Sequence, residues 1–108
     1  MILNDPVTAE PLAVMSGNLI SAMRTGAVPG VAAKYLARKD SRVIAVIGCG
    51  VINKACLMGL ADVLKNVSEV RAFDIVKEKA DQFSKEISKQ LGIEVCPVDR
   101  MEEAVVDS

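Results

Sequence analysis

The feature that most constrains this sequence is an unbroken apolar run, Val43-Ile44-Ala45-Val46-Ile47, that stops on Gly48-Cys49-Gly50. All but Ala45 are β-branched, and no polar residue alternates with them. That combination predicts a central strand of a parallel sheet, covered on both faces by helices. After the glycines, Ile52, Cys56, Leu60, Val63 and Leu64 fall on one face of a helix over about 51–66, and Glu69–Phe73 reads as the next strand. A βαβ unit of about 33 residues results. Ala80, Phe83, Ile87 and Leu91 then recur every three or four positions, while Lys77, Glu78, Lys79, Asp81, Lys85, Glu86 and Lys89 fill the opposite face, so the following helix is amphipathic and ends at Gly92. A strand over 93–98 and a short helix over 101–106 complete a β-α-β-α-β-α order with parallel pairing, the first half of a Rossmann-like α/β domain over 41–108.

Residues 1–40 read differently. Ile2-Leu3 and Leu12-Ala13-Val14-Met15 are short apolar runs separated by Asn4-Asp5-Pro6 and Glu10-Pro11, which predicts a hairpin with a tight connection. Ser16 or Asn18 caps a helical turn reaching Met23. Thr25 caps a second helix with Pro29 in its first turn, a stripe of Val28, Val31, Tyr35 and Leu36, and an end near 38–40.

Charge and composition narrow the partners. Thirteen basic residues against fourteen acidic ones leave a net charge of −1, with no footprint for nucleic acid or an anionic membrane. The longest apolar stretch is about ten residues, short of the roughly 18 that span a bilayer. No secretory signal is visible at the start, so cytoplasmic residence is expected. Three cysteines without paired spacing, and no histidine, argue against a disulfide framework and a zinc site.

The chemistry concentrates at the turn after the first parallel strand. Gly48 and Gly50 free the backbone of side chains where it turns sharply and approaches a pyrophosphate, whose charge meets the N–H groups opening the next helix at Val51, Ile52 and Asn53. Asn53 stands where close helix packing usually wants a third small residue. Asp74, about 20 residues further on and at the end of the second strand, is placed to accept hydrogen bonds from the adenosine ribose, which favours NAD over NADP. Ile75 follows it, not an arginine that would grip a 2′-phosphate, although Lys77 and Lys79 are near. The plainer reading of Asp74 is a turn aspartate opening a helix. Cys49 reads as a small residue filling the turn, with a reactive helix-end thiol as the alternative. Arg24, beside Thr25, can present a planar guanidinium to a carboxylate, or stand as a solvated surface charge.

The runs Arg24-Thr25-Gly26-Ala27, Ala32-Ala33-Lys34-Tyr35-Leu36-Ala37-Arg38 and Ile47-Gly48-Cys49-Gly50-Val51, in this order, resemble the ornithine cyclodeaminase and mu-crystallin family. The stretch Glu102-Glu103-Ala104-Val105 with Asp107 resembles the segment before that family's fourth Rossmann strand. The resemblance implies that Arg24 binds the carboxylate of an amino or imino acid substrate, that Thr25 helps hold cofactor phosphate, and that Gly48, Gly50 and Asp74 hold NAD. It also implies that residues 1–40 belong to a substrate-binding and dimerisation region, and that the full-length parent is a homodimer. Ile52 and Asn53 depart from the glutamine and small residue of many members, which leaves the substrate open. The family's upstream lysine and arginine and its downstream catalytic aspartate have no counterparts in these 108 residues, so the chain is expected to be an excised middle segment, inactive alone. A non-catalytic mu-crystallin-like binding protein and an S-adenosylmethionine-dependent methyltransferase are the competing classes.

Overall fold

The computed structural model describes residues 1–108. β1 (Ile2–Asn4) and β2 (Pro11–Val14) form an antiparallel pair, followed by α1 (Asn18–Leu36), β3 (Val43–Ile47), α2 (Val51–Val63), β4 (Glu69–Phe73), α3 (Lys77–Leu91), β5 (Glu94–Pro97) and α4 (Met101–Val105). The order and parallel pairing expected from residue 43 onward are present, with strands ranked β3-β4-β5.

The sheet corrects one expectation. β3, read as central, pairs only with β4, and β4 is the middle strand, where Val70 and Ala72 are fully buried. Ile44 and Val46 of β3, Val70 and Ala72 of β4 and Val95 of β5 point to one face, where Leu57 of α2 and Phe83 and Ile87 of α3 close the core. By the strand's two-residue period, Arg71 points to the other face, where its Nη1 donates to the Val106 carbonyl just past α4. Helices therefore cover both faces. α3 ends as its sequence predicts, on Gly92 with φ of 67°.

The amino-terminal half holds the larger corrections. The hairpin is not tight: residues 5–10 form its loop, closed by Asp5 N–H donating to the Glu10 carbonyl, while the Asp5 carboxylate accepts the N–H groups of Val7 and Thr8. The expected break at Thr25 is absent, and α1 runs continuously for 19 residues with Pro29 inside it. A proline there removes one helical bond, to the carbonyl four residues back, and the rest of the ladder spans the gap. Neither Ser16 nor Asn18 caps α1, whose N-cap is Gly17 without a side-chain bond.

The predicted stripe is also on the wrong side. Val28, Val31, Tyr35 and Leu36 are all more than half exposed, and the buried face of α1 is Ala22, Gly26, Gly30 and Ala33. These small residues let α1 lie almost backbone to backbone against α2. A Cβ on Gly26 would stand 2.5 Å from the Ala55 carbonyl, one on Gly30 2.7 Å from the Gly59 carbonyl oxygen, and one on Gly59 would strike the Gly26 carbonyl. α2 lies between α1 and the sheet and packs toward both. Leu57, absent from the expected stripe, is its one fully buried residue, and Leu60 and Leu64 pack on the core, whereas Ile52 is exposed.

This contact sets a sign that a plain helix would not. Glycine to alanine inside an exposed helix stabilises by about 0.5–1 kcal/mol. Gly26→Ala is expected instead to lower the thermal midpoint, because the added methyl forces the helices apart at a cost of about 1–3 kcal/mol. A raised midpoint in calorimetry would exclude the close approach.

Candidate functional site

The loop Gly48-Cys49-Gly50 leaves β3 at its carboxyl end and opens α2 at its amino end. Gly48 has φ of 90°, a conformation side chains rarely adopt, so the turn itself requires glycine there. Gly50 is another matter. Its backbone is extended, with φ of −91° and ψ of 177°, and a Cβ on it would meet nothing within 4 Å. Nothing in the chain demands glycine at that position, and the open space above it suits a ligand that must touch the backbone. No side chain caps α2 and its first turn has no acidic residue, so the N–H groups of Val51, Ile52 and Asn53 face outward at the helix's positive end.

Three donors fix this loop. Gly48 N–H donates to the Phe73 carbonyl at 2.7 Å, Cys49 N–H donates to Asp74 Oδ2 at 2.8 Å, and the Asn53 amide donates to the carbonyls of Ile47 and Gly48, both at 2.8 Å. The Asn53 side chain thus braces the turn from within. Its sequence position suggested only a poorer helix contact.

Asp74 is the turn aspartate of its plainer reading, and it ties down the glycine loop as well. Oδ1 accepts Val76 N–H at 2.9 Å, the turn that leads into α3, while Oδ2 holds the glycine loop. The two N–H donors, that of Cys49 first, and the charge of Lys79 keep its carboxyl below the usual 3.8. Each carboxylate oxygen has a second lone pair, which leaves Asp74 able to accept a ligand hydroxyl as well. Cys49 is no reactive thiol: burial, and then the Asp74 charge, push it up to about 11, and its Sγ lies 3.7 Å from the Phe73 carbonyl.

Arg24 and Thr25 lie on α1, not at a helix junction, with Arg24 exposed and Thr25 half-buried. The helices run parallel, Gly26 facing Ala55 and Gly30 facing Gly59. Residues 24 and 25 therefore stand level with the first turn of α2, beside the glycine loop. The signal that would have found this arrangement is the pair of small-residue spacings, Gly26 to Gly30 and Ala55 to Gly59.

A sequence model of the ornithine cyclodeaminase/mu-crystallin family matches residues 1–108. An alanine dehydrogenase of Archaeoglobus fulgidus is 47% identical over 83 residues, which is 77% of this chain and 26% of that protein. Among solved structures, the Δ1-pyrroline-2-carboxylate reductase of Thermococcus litoralis, in complex with NADH and L-proline, superposes with a TM-score of 0.90 at 48% identity, over 95% of this chain and 32% of its own. An archaeal alanine dehydrogenase dimer with bound NAD superposes at 0.83 and 42% identity, over 95% of this chain and 31% of its own. The chain thus spans about a quarter to a third of the length of the relatives it matches.

The depressed carboxyl of Asp74 gives the loop a pH dependence of definite sign. A lowered folded-state pKa contributes stability that is present above the ordinary carboxylate value and lost as pH falls through the folded one. Asp74→Asn is therefore expected to be less stable than the parent protein near neutral pH, the gap closing on acidification below 3.8. Urea unfolding across that range measures it, and a gap that stays constant would show that the carboxylate charge plays no part.

Proposed function

The chain belongs to the ornithine cyclodeaminase/mu-crystallin family, and from that membership we propose that it is the NAD-binding segment of an enzyme that moves hydride at the α-carbon of an amino or imino acid. The observation that carries this reading is Gly50, a glycine the fold does not need, set over the uncapped start of α2. Backbone N–H groups of Val51, Ile52 and Asn53 would meet the pyrophosphate there, with the Thr25 hydroxyl alongside and Gly48 and Gly50 giving clearance. Asp74 would accept the adenosine ribose hydroxyls on its remaining lone pairs. The nicotinamide, when bound, supplies the hydride acceptor or donor.

Arg24 would hold the substrate carboxylate. Its guanidinium makes no ion pair within the chain, and it projects from the same end of the α1–α2 pair as the loop. A carboxylate fixed by a two-pronged donor leaves the α-carbon a restricted arc of positions, which is the protein's share of aligning hydride transfer. Loss of hydride leaves an imine open to attack by an amine or water, and the reverse reduces an imino acid; dehydrogenation and deaminating cyclisation are both within this scheme. The dehydrogenase and reductase names of the relatives favour an enzyme over a non-catalytic binder, and the family match favours NAD over S-adenosylmethionine.

We further infer a cytoplasmic homodimer in the full-length parent, with residues 1–40 contributing to substrate binding and dimerisation and 41–108 to the nucleotide. One relative is described as a dimer, α1 exposes Val28, Val31 and Tyr35, and no helix is long and apolar enough to cross a membrane.

Two measurements test the halves of this reading. Titrating the chain with NADH, Asp74→Ser is expected to weaken binding by about 1–3 kcal/mol, the scale of a charge-assisted hydrogen bond, and unchanged affinity would remove Asp74 from the site. In the full-length parent, Arg24→Lys keeps the charge but loses the planar fork, so kcat/KM should fall at least about tenfold with near-normal NADH affinity. Full activity toward every amino or imino acid turned over would leave Arg24 a surface charge.

A further inference from the structure

Asn53 stands in the first turn of α2 and turns its side chain back into the loop that precedes the helix. Its amide nitrogen donates to the carbonyls of Ile47 and Gly48, both at 2.8 Å, and lies 3.5 Å from where a Cβ on Gly48 would stand, so it fills the inside of the turn. A primary amide carries two N–H donors, one for each of these oxygens. Neither oxygen is served by the sheet. Gly48 N–H points to β4, so by the strand's alternation the Ile47 carbonyl points to the edge that β4 does not cover. The Gly48 carbonyl leaves the strand pattern at the φ of 90°, and no backbone N–H is bonded to it.

Resting on the nucleotide-binding reading above, we propose that the Asn53 side chain is a positioning residue: it sets dinucleotide affinity through the loop, by holding the turn in the shape that exposes Gly50 and by occupying two carbonyl oxygens. Two physical terms act together. Glycine at Gly48 has the backbone freedom the turn requires, and the same freedom lets the loop wander unless something outside it holds it. A ligand that must order the loop itself binds less tightly. Asp74 ties the loop at Cys49 from the β4 side, whereas Asn53 ties the two residues before it from the α2 side. The second term is electrostatic. Carbonyl oxygens left unpaired beside the start of α2 would oppose the N–H field that favours an anion there, and the amide cancels that opposition. A small residue at this position could do neither.

Fluorescence titration with NADH, at a temperature well below every thermal midpoint, compares the unmodified chain with Asn53→Ala and Ser88→Ala. Ser88 serves as the structural control, since its Oγ accepts the Val95 N–H near the start of β5, away from the loop. Asn53→Ala is expected to lose about fivefold or more in NADH affinity, and Ser88→Ala to stay within about twofold of the unmodified chain. Amide hydrogen exchange without nucleotide gives the second readout. The Cys49 N–H should exchange faster in Asn53→Ala, and also in Asn53→Asp, which keeps the shape and suits the helix dipole but loses both donors when ionised. Unchanged NADH affinity in Asn53→Ala, an equal loss in Ser88→Ala, or unaltered Cys49 exchange in both Asn53 variants would overturn the assignment and leave the NAD site standing. Failure of NADH to bind the unmodified chain would instead overturn the underlying reading and this one with it, while the exchange rates would still decide whether Asn53 holds the loop.

Discussion

The backbone-to-backbone contact between α1 and α2 is the constraint on which the rest of the site depends. Gly26 lies against the Ala55 carbonyl and Gly59 against that of Gly26, and Gly30 repeats the contact one turn on against the Gly59 carbonyl. Any larger side chain at these points would separate the helices or slide one along the other. Either movement would carry Arg24 and Thr25 away from the first turn of α2, since a one-turn slip along a helix is about 5.4 Å. The register between the substrate-side helix and the nucleotide loop is therefore written in residues with no chemistry of their own.

A second tie acts on the loop itself. Gly48, Cys49 and Asn53 fasten the loop to the ends of β3 and β4 through hydrogen bonds of 2.7–2.8 Å. One of these reaches the Asp74 carboxylate, so the residue proposed to read the ribose also holds the loop proposed to hold the phosphates. Ordering a loop costs free energy whenever a ligand has to do it, and a loop already fixed spares that cost at binding. Asp74 then links two parts of one ligand through the protein, and substitution there should be read as a change to both.

Much of the fold was legible because the core obeys simple periods. The strand residues Val43 to Ile47 and Glu69 to Phe73, the amphipathic face of α3 through Phe83 and Ile87, and the stop at Gly92 follow from side-chain pattern and appear as expected. What was not legible in the same way is the packing of α1. Apolar spacing assigns its buried face to large residues, yet Tyr35 and Leu36 are 74% and 85% exposed while Gly26 and Gly30 are buried. Hydrophobic spacing ranks residues by the area they can bury and is blind to close approach, where what counts is the absence of a side chain. The mistaken break at Thr25 has the same root: Pro29 was weighed as a local signal, whereas tertiary packing along the whole helix decides whether one lost bond matters. Of the site, the glycine loop and Asp74 stand out in the sequence, but the inward bond of Asn53 and the pairing of Lys54 with Glu86 depend on residues 5 to 32 positions away.

The electrostatics of the site follow from that pairing. With Lys54 held by Glu86 and Lys77 by Asp99, little free side-chain charge faces the loop. The proposed attraction for a pyrophosphate then rests on oriented N–H groups at the start of α2, a field equivalent to roughly half a unit charge that fades within the first turn. Such a field is local and directional: it favours an anion lying over Gly50 and does little for one elsewhere on the surface. A net charge of −1 spread over the chain adds no general pull on polyanions. Selectivity for a nucleotide would accordingly come from geometry at the loop and from the neighbouring carboxylate.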